Sequence, residues 1–315
     1  MADEGKISRA MAKAGAADKL SPQSQGQKPL MPSPGQAPQR RPAQDIPTLR
    51  RVAAGSSALD PLVVTVHERA GEAASQIRAV RARLLAMPGA PRVIVITSAT
   101  REEGKSTMAM NLAVALGEVD PGRIVLVDGD VHAPKVPALA GIDAISGLDD
   151  ILRDGLDLND NVYETSVPRV DIIPARSDEI ADDRNGPPDQ QGLLARHCAP
   201  LFAKLRTLYS FVIVDTPPVL ASPEACMFGR HSDGVILIAR LEKTSREAVK
   251  RAADELTKSG ATVIGCVLTD RKHHVPDFIY RMFFGRTSGY YYYHYRRKGT
   301  PAARRSDSGT GLVKK

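Results

Sequence analysis

The stretch that most constrains this chain is Val93-Ile94-Val95-Ile96 running into Thr97-Ser98-Ala99-Thr100-Arg101-Glu102-Glu103-Gly104-Lys105-Ser106-Thr107. An apolar, β-branched run, a polar loop and a Gly-Lys-Ser-Thr opening a helical pattern read as strand, anion loop and helix. Backbone N–H groups, the positive helix end and an ammonium then surround one anion, and the Ser106 hydroxyl can face a Mg²⁺. A nucleoside triphosphate is the first ligand to consider. On its own the tetrapeptide also suits an ordinary strand-to-helix turn, because the glycine that usually stands five positions before Gly104 is here Ala99.

Two further segments decide between these readings. Ile124-Val125-Leu126-Val127-Asp128-Gly129-Asp130 and Phe211-Val212-Ile213-Val214-Asp215-Thr216-Pro217-Pro218 are apolar runs ending in aspartate, as expected of buried parallel strands with carboxylates at their carboxyl ends. Three strands thus deliver Lys105, Asp128, Asp130 and Asp215 to the sheet edge where doubly wound folds bind ligands.

Strands and helices alternate along the chain. Strands are predicted at 93–97, 124–128, 170–173, 211–215, 234–239 and 263–268. Helices are predicted at 106–117, 147–153, 191–207 and 245–258, with a first helix from Glu68 to Met87 ended by Pro88-Gly89. This pattern predicts an α/β fold of the P-loop type, a mostly parallel sheet flanked by helices and joined by right-handed crossovers. Residues 1–60, rich in Pro, Gln and Ser and without apolar period, read as a disordered leader. Residues 61–285 form the folded domain and 286–315 a basic, tyrosine-rich tail. Ser177 to Gln190, acidic and carrying Gly186-Pro187-Pro188, reads as an exposed loop.

Charge is unevenly placed. The net +7 of the chain is made of +4 in residues 1–60, +7 in residues 286–315 and −4 between them. Such ends suit a solvated tail, a nucleic acid or an anionic surface. Cys198, Cys226 and Cys266 are scattered without metal-ligand spacing, as in a reduced cytosolic protein. No apolar run approaches the roughly 18 residues of a bilayer span, so a membrane role is expected to come through a partner or a surface contact.

Three aspartate-ended strands, Asp215-Thr216-Pro217-Pro218 and the cluster Tyr290-Tyr291-Tyr292-Tyr293-His294-Tyr295 together resemble the bacterial tyrosine kinases (BY-kinases) of exopolysaccharide and capsule synthesis. The resemblance runs from about Ile77 through Tyr295 and maps the Walker A, A′ and B motifs to 98–107, 125–134 and 212–218. It implies a cytoplasmic autokinase, built on a domain related to the MinD and ParA ATPases, that uses ATP and Mg²⁺. It also implies a homo-oligomer, possibly a ring, held at the inner membrane by a chain-length or co-polymerase activator protein, with no nucleic acid partner. The chain departs from the family pattern in three places: Arg101-Glu102 stand for Pro-Gly, His132 for a basic Arg or Lys, and Thr269-Asp270 where related ATPases often carry an Asn near the base. Thr100 stands where MinD and ParA proteins carry a signature lysine, which favours the kinase branch over the partitioning branch.

Under this resemblance the backbone of Glu103, Gly104, Lys105, Ser106 and Thr107 wraps the phosphates. Lys105 bridges phosphate oxygens, and Ser106, Asp128 and Asp215 hold the metal. Asp130 is expected to orient or accept the tyrosine proton, with Asp128 as its rival and a plain turn role as the alternative. Tyr290, Tyr291, Tyr292, Tyr293 and Tyr295 are the expected acceptors; a sticky solvated tail is the other reading. Arg78 and Arg81, on one helix face, match the family's assembly helix or form an ordinary solvated face. Two competing functions are a ParA-like ATPase and a non-catalytic, nucleotide-binding assembly subunit.

Overall fold

The computed structural model of the chain describes residues 49–52, 58–175 and 190–270. The described chain builds one seven-stranded sheet from β1 (Val93–Ser98), β2 (Ile124–Asp128), β3 (Tyr163–Glu164), β4 (Val170–Ile173), β5 (Phe211–Asp215), β6 (Gly234–Arg240) and β7 (Val263–Thr269). Their spatial order is β3-β4-β2-β5-β1-β6-β7. Every neighbouring pair is parallel except the short edge pair β3 and β4.

The apolar runs form strands buried on both faces because alternate side chains point to opposite sides. Val93, Val95, Val125, Val127, Val212 and Val214 face one layer, with Leu152, Leu194, Phe228 and Leu256 among its members. That layer is built by α5 (Leu148–Arg153), α6 (Gln190–Leu208), α7 (Glu224–Gly229) and α8 (Arg246–Lys258). Ile94, Ile96, Ile124, Leu126 and Ile213 face the other layer, with Leu84, Leu112, Leu116 and Leu139. It comprises α1 (Val64–His67), α2 (Glu72–Leu85), α3 (Lys105–Gly117) and α4 (Val136–Ala140).

Two expectations need correction. The helix predicted from Glu68 to Met87 is shorter, α2 from Glu72 to Leu85, and a separate short helix, α1, ends at His67 before it. Gly71 caps α2, and a Cβ there would stand 2.9 Å from the Glu68 carbonyl oxygen, so the chain turns where only glycine fits. Residues 49–52 fall inside the leader expected to stay unpacked, yet Val52 pairs with β3. Its N–H donates to the Val162 carbonyl at 2.8 Å, and Glu164 N–H donates back to Val52 at 2.9 Å. Arg51 then reaches the buried Asp171 at 2.9 Å. Leu59, also inside the expected leader, is buried in the core beside Leu139, and Asp60 N–H donates to the Leu139 carbonyl at 3.0 Å. Residues 1–48 and 53–57 of the leader, most of the 177–190 loop and the tyrosine tail lie outside the described residues.

Candidate active site

The connections leaving β1, β2 and β5 meet at one edge. Because β5 is inserted between β1 and β2, the sheet's winding reverses beside β1, the position at which open α/β sheets bind ligands. Gly104 has φ +89° and caps α3, a left-handed conformation that glycine adopts without penalty. Lys105 and Ser106 follow at the first turn, 7% and 8% exposed. The Lys105 ammonium has no hydrogen-bond or ion-pair partner among the described residues, so an ammonium near the mouth of a helix is left for a ligand.

The loop before Gly104 is braced from three sides. The Glu103 carboxylate, 1% exposed, accepts from Thr100 N–H at 3.0 Å and Thr100 Oγ1 at 2.9 Å, and also from Thr244 Oγ1. Thr269 Oγ1 donates to the Glu103 carbonyl at 2.8 Å. Glu102, standing where the family carries glycine, keeps the glycine-like backbone at φ +62°, which costs an L-residue about 1 kcal/mol. Lys243 holds its carboxylate at 3.1 Å and Arg240 reaches its carbonyl at 3.4 Å. The hydrogen bond from Lys243 is the main reason the Glu102 pKa is lowered, with the charges of Lys243, Lys135 and Arg240 adding to it. Sequence reading assigned none of these roles to Arg240, Lys243, Thr244 or the Glu103 side chain; only the Thr269-Asp270 departure hinted that β7 reaches the loop.

Asp128 and Asp215 are register partners across β2 and β5, both fully buried. Asp128 is used locally: Asp130 N–H and Val136 N–H each donate to it at 3.1 Å, shaping the turn into α4. Burial, followed by the charge of Asp215, raises its pKa well above the usual carboxylate range. Neither oxygen of Asp215 has a hydrogen-bond partner among the described residues. Ser106 faces it short of good hydrogen-bond geometry; burial pushes the Asp215 pKa up to about 7, while Ser106 and the Lys105 charge oppose the rise. An orphaned carboxylate buried beside a hydroxyl and an ammonium is costly unless a ligand completes it. A Mg²⁺ carried by a polyphosphate fits this donor set, since that ion takes one or two carboxylates plus phosphate and water oxygens. Among the described residues no cluster of three or more His, Cys, Asp or Glu could hold a metal by itself.

Asp130, 7% exposed, accepts Ala133 N–H at 3.2 Å through Oδ1, so it does shape a turn, and its second oxygen has no hydrogen bond among the described residues. Arg78 and Arg81 lie elsewhere, at the far end of α3. Arg78 donates twice to Glu118, at 2.8 and 2.6 Å, and Arg81 donates to Glu118 at 2.8 Å and to the Ala115 carbonyl at 2.7 Å. In this structure the arginines expected at an assembly surface fasten α2 to α3. The five acceptor tyrosines lie outside the described residues.

A parallel sheet whose switch point carries a phosphate-type loop, with carboxylates on the neighbouring strand ends, defines the P-loop NTPase class. Residues 91–260 match the model of the AAA domain family, and the chain belongs to that family. Tyrosine-protein kinase CpsD of Streptococcus agalactiae is 27% identical over 179 residues, spanning 56% of this chain and 73% of that protein. Tyrosine-protein kinase YwqD of Bacillus subtilis is 29% identical over 180 residues, 57% of this chain and 72% of that one. Among solved structures, the chimerical protein CapA2B2 superposes with a TM-score of 0.60 at 27% identity, over 71% of this chain and 93% of its own. No helix among the described residues is long and apolar enough to cross a membrane.

Proposed function

We propose that the chain is an ATP-dependent protein-tyrosine autokinase that transfers the γ-phosphoryl group to Tyr290, Tyr291, Tyr292, Tyr293 and Tyr295 of a neighbouring copy. The kinase relatives support the reaction, and one observation carries its placement: the partnerless Asp215 carboxylate beside Ser106 and Lys105. Phosphoryl transfer asks a protein mainly to position groups and neutralise charge. The N–H groups from Glu103 to Thr107 bind the phosphates, and Lys105 neutralises oxygens that gain charge as transfer proceeds. Ser106, Asp128 and Asp215 would hold the Mg²⁺, which would supply Lewis-acid stabilisation of the phosphate oxygens when bound. Asp130 uses its open oxygen to orient the phenol and take its proton, a useful service to a group whose free pKa is near ~10.

The resemblance to the tyrosine kinases of exopolysaccharide and capsule synthesis supports regulation of exopolysaccharide polymerisation and export, with the chain recruited to the inner membrane by a chain-length or co-polymerase activator. Assembly through Arg78 and Arg81 requires them to exchange Glu118 for a partner's groups. Each phosphate adds roughly −1.5 to −2 charges, so several would offset the +7 of residues 286–315.

Intact-mass analysis after incubation with Mg-ATP tests the proposal. Stepwise phosphate additions are expected in the native chain and absent both in Lys105→Met and in the variant with all five tyrosines changed to Phe. Hydrolysis of ATP with no added mass would instead indicate an ATPase.

A further inference from the structure

His132 occupies the place in the β2–α4 turn where the family resemblance leads one to expect a permanent cation, and its ring is turned away to α7. His132 Nε2 lies 3.7 Å from Glu224 Oε1, at the first residue of that helix. Three residues further on, Lys135 is the N-cap of α4. The next N–H, that of Val136, donates to Asp128 Oδ2 at 3.1 Å, so the Lys135 backbone is anchored beside the end of β2, in register with Asp215 on β5. Lys135 is exposed, and its ammonium has no hydrogen bond or ion pair among the described residues.

A lysine rooted one residue before the N–H that binds Asp128, with Asp128 itself in register with Asp215, stands at the rim of the space between the β1–α3 loop and the end of β5, which the phosphates are to fill. Its charge also helps lower the pKa of Glu102 on the crest of the loop, behind the larger effect of Lys243. Lysine is suited to this position because it is a compact point charge on a flexible stem, able to follow an oxygen that moves during transfer.

We propose that Lys135 is a second phosphate-binding cation of this site: its ammonium contacts the terminal phosphoryl oxygens of a bound nucleoside triphosphate and takes the place that His132 leaves empty. The assignment rests on the reading of the site as a triphosphate-dependent kinase. Because the contact is to the terminal phosphoryl group, it discriminates triphosphate from diphosphate, a property that a merely structural helix cap would not have.

The test is to measure Mg-ATP and Mg-ADP affinities by calorimetry, with phosphotyrosine formation in parallel, on the full chain and on Lys135→Ala, Lys135→Arg and the double variant His132→Arg/Lys135→Ala. Loss of one charge-assisted contact predicts that Lys135→Ala weakens ATP binding about 10- to 100-fold while changing ADP binding less than about threefold. Lys135→Arg keeps most of the discrimination, and the double variant regains part of it by returning a cation to position 132. An ATP-to-ADP affinity ratio unchanged in Lys135→Ala overturns the assignment, as does equal weakening of both ligands. Should the alanine variant fail to fold, a Lys135→Arg chain that folds but loses the discrimination overturns it as well. A native chain that binds ATP yet forms no phosphotyrosine defeats the kinase reading, while the affinity ratio still decides the role of Lys135. A native chain that binds neither nucleotide overturns both.

Discussion

Asp171 and Asp215 are both 0% exposed and both sit on strands of the same sheet, yet their surroundings are opposite. Asp171 on β4 accepts from Arg51 Nε and Arg123 Nε at 2.9 Å each, with a second contact from Arg123. Asp215 on β5 accepts from nothing among the described residues. A buried charge has to be paired or it destabilises the fold. The paired aspartate therefore reads as structure, closing the β3–β4 edge with the 49–52 segment. The orphan reads as a group whose partner arrives with a ligand. The same division separates Glu118, which takes Arg78 and Arg81, from Lys105, which faces the site alone.

The most damaging way to probe this contrast is at the loop. Lys105→Met should lower phosphotyrosine formation by about 10²- to 10³-fold, the effect of removing one preorganised stabiliser of developing charge, with its urea midpoint close to that of the native chain. At the paired aspartate the effect should fall on the fold. Asp171→Asn leaves two arginines short of their counter-charge and should cost about 3 kcal/mol in urea unfolding, while nucleotide affinity in the folded fraction is retained.

Asp215→Asn should do the reverse of Asp171→Asn: with no ligand present it removes an unpaired buried charge. The nucleotide-free variant is expected to be more stable than the native chain at pH 8 by about 1–2 kcal/mol. The pH dependence has the matching sign. An Asp215 pKa raised from 3.8 to about 7 means that the folded chain binds its proton more tightly than the unfolded one. Stability of the nucleotide-free chain should therefore fall as pH rises from about 4 to about 7, and thermal melts of Asp215→Asn should show a flatter profile in that window.

Glu118 shifts the other way. The hydrogen bond from Arg78, opposed by burial and helped by the Arg78 and Arg81 charges, lowers its pKa. Its contribution is present above the ordinary value of 4.5 and disappears as pH falls through the lowered one. For a partly exposed group this is under about 1 kcal/mol, and Glu118→Gln should remove it from an acid titration of the urea midpoint.

Much of the frame was legible because its signals are local. The runs Ile124–Asp128 and Phe211–Asp215 are apolar throughout and stop at aspartate, and both strands are found with the predicted ends. The short helices Val136–Ala140 and Glu224–Gly229 were not predicted, since 5 or 6 residues are too few to display a helical period. Gly71 caps α2 and delays its start by four residues relative to the periodic stretch that begins at Glu68. The anchoring of Arg51 escaped notice because its partner is 120 residues away, beyond the reach of any sequence pattern. At the site, Lys105, Ser106, Asp128 and Asp215 stood out by motif. Thr244 did not, since the turn after β6 brings it to the loop from a separate connection.

The central claim is that the Asp215 carboxylate binds the magnesium of a bound nucleotide, and the most direct measurement is the calorimetric affinity for ATP of the native chain and of Asp215→Asn, each with and without Mg²⁺. The account predicts that Mg²⁺ strengthens ATP binding to the native chain by at least about tenfold and that Asp215→Asn abolishes most of this gain. An Asp215→Asn chain that retains the full Mg²⁺-dependent gain would contradict it.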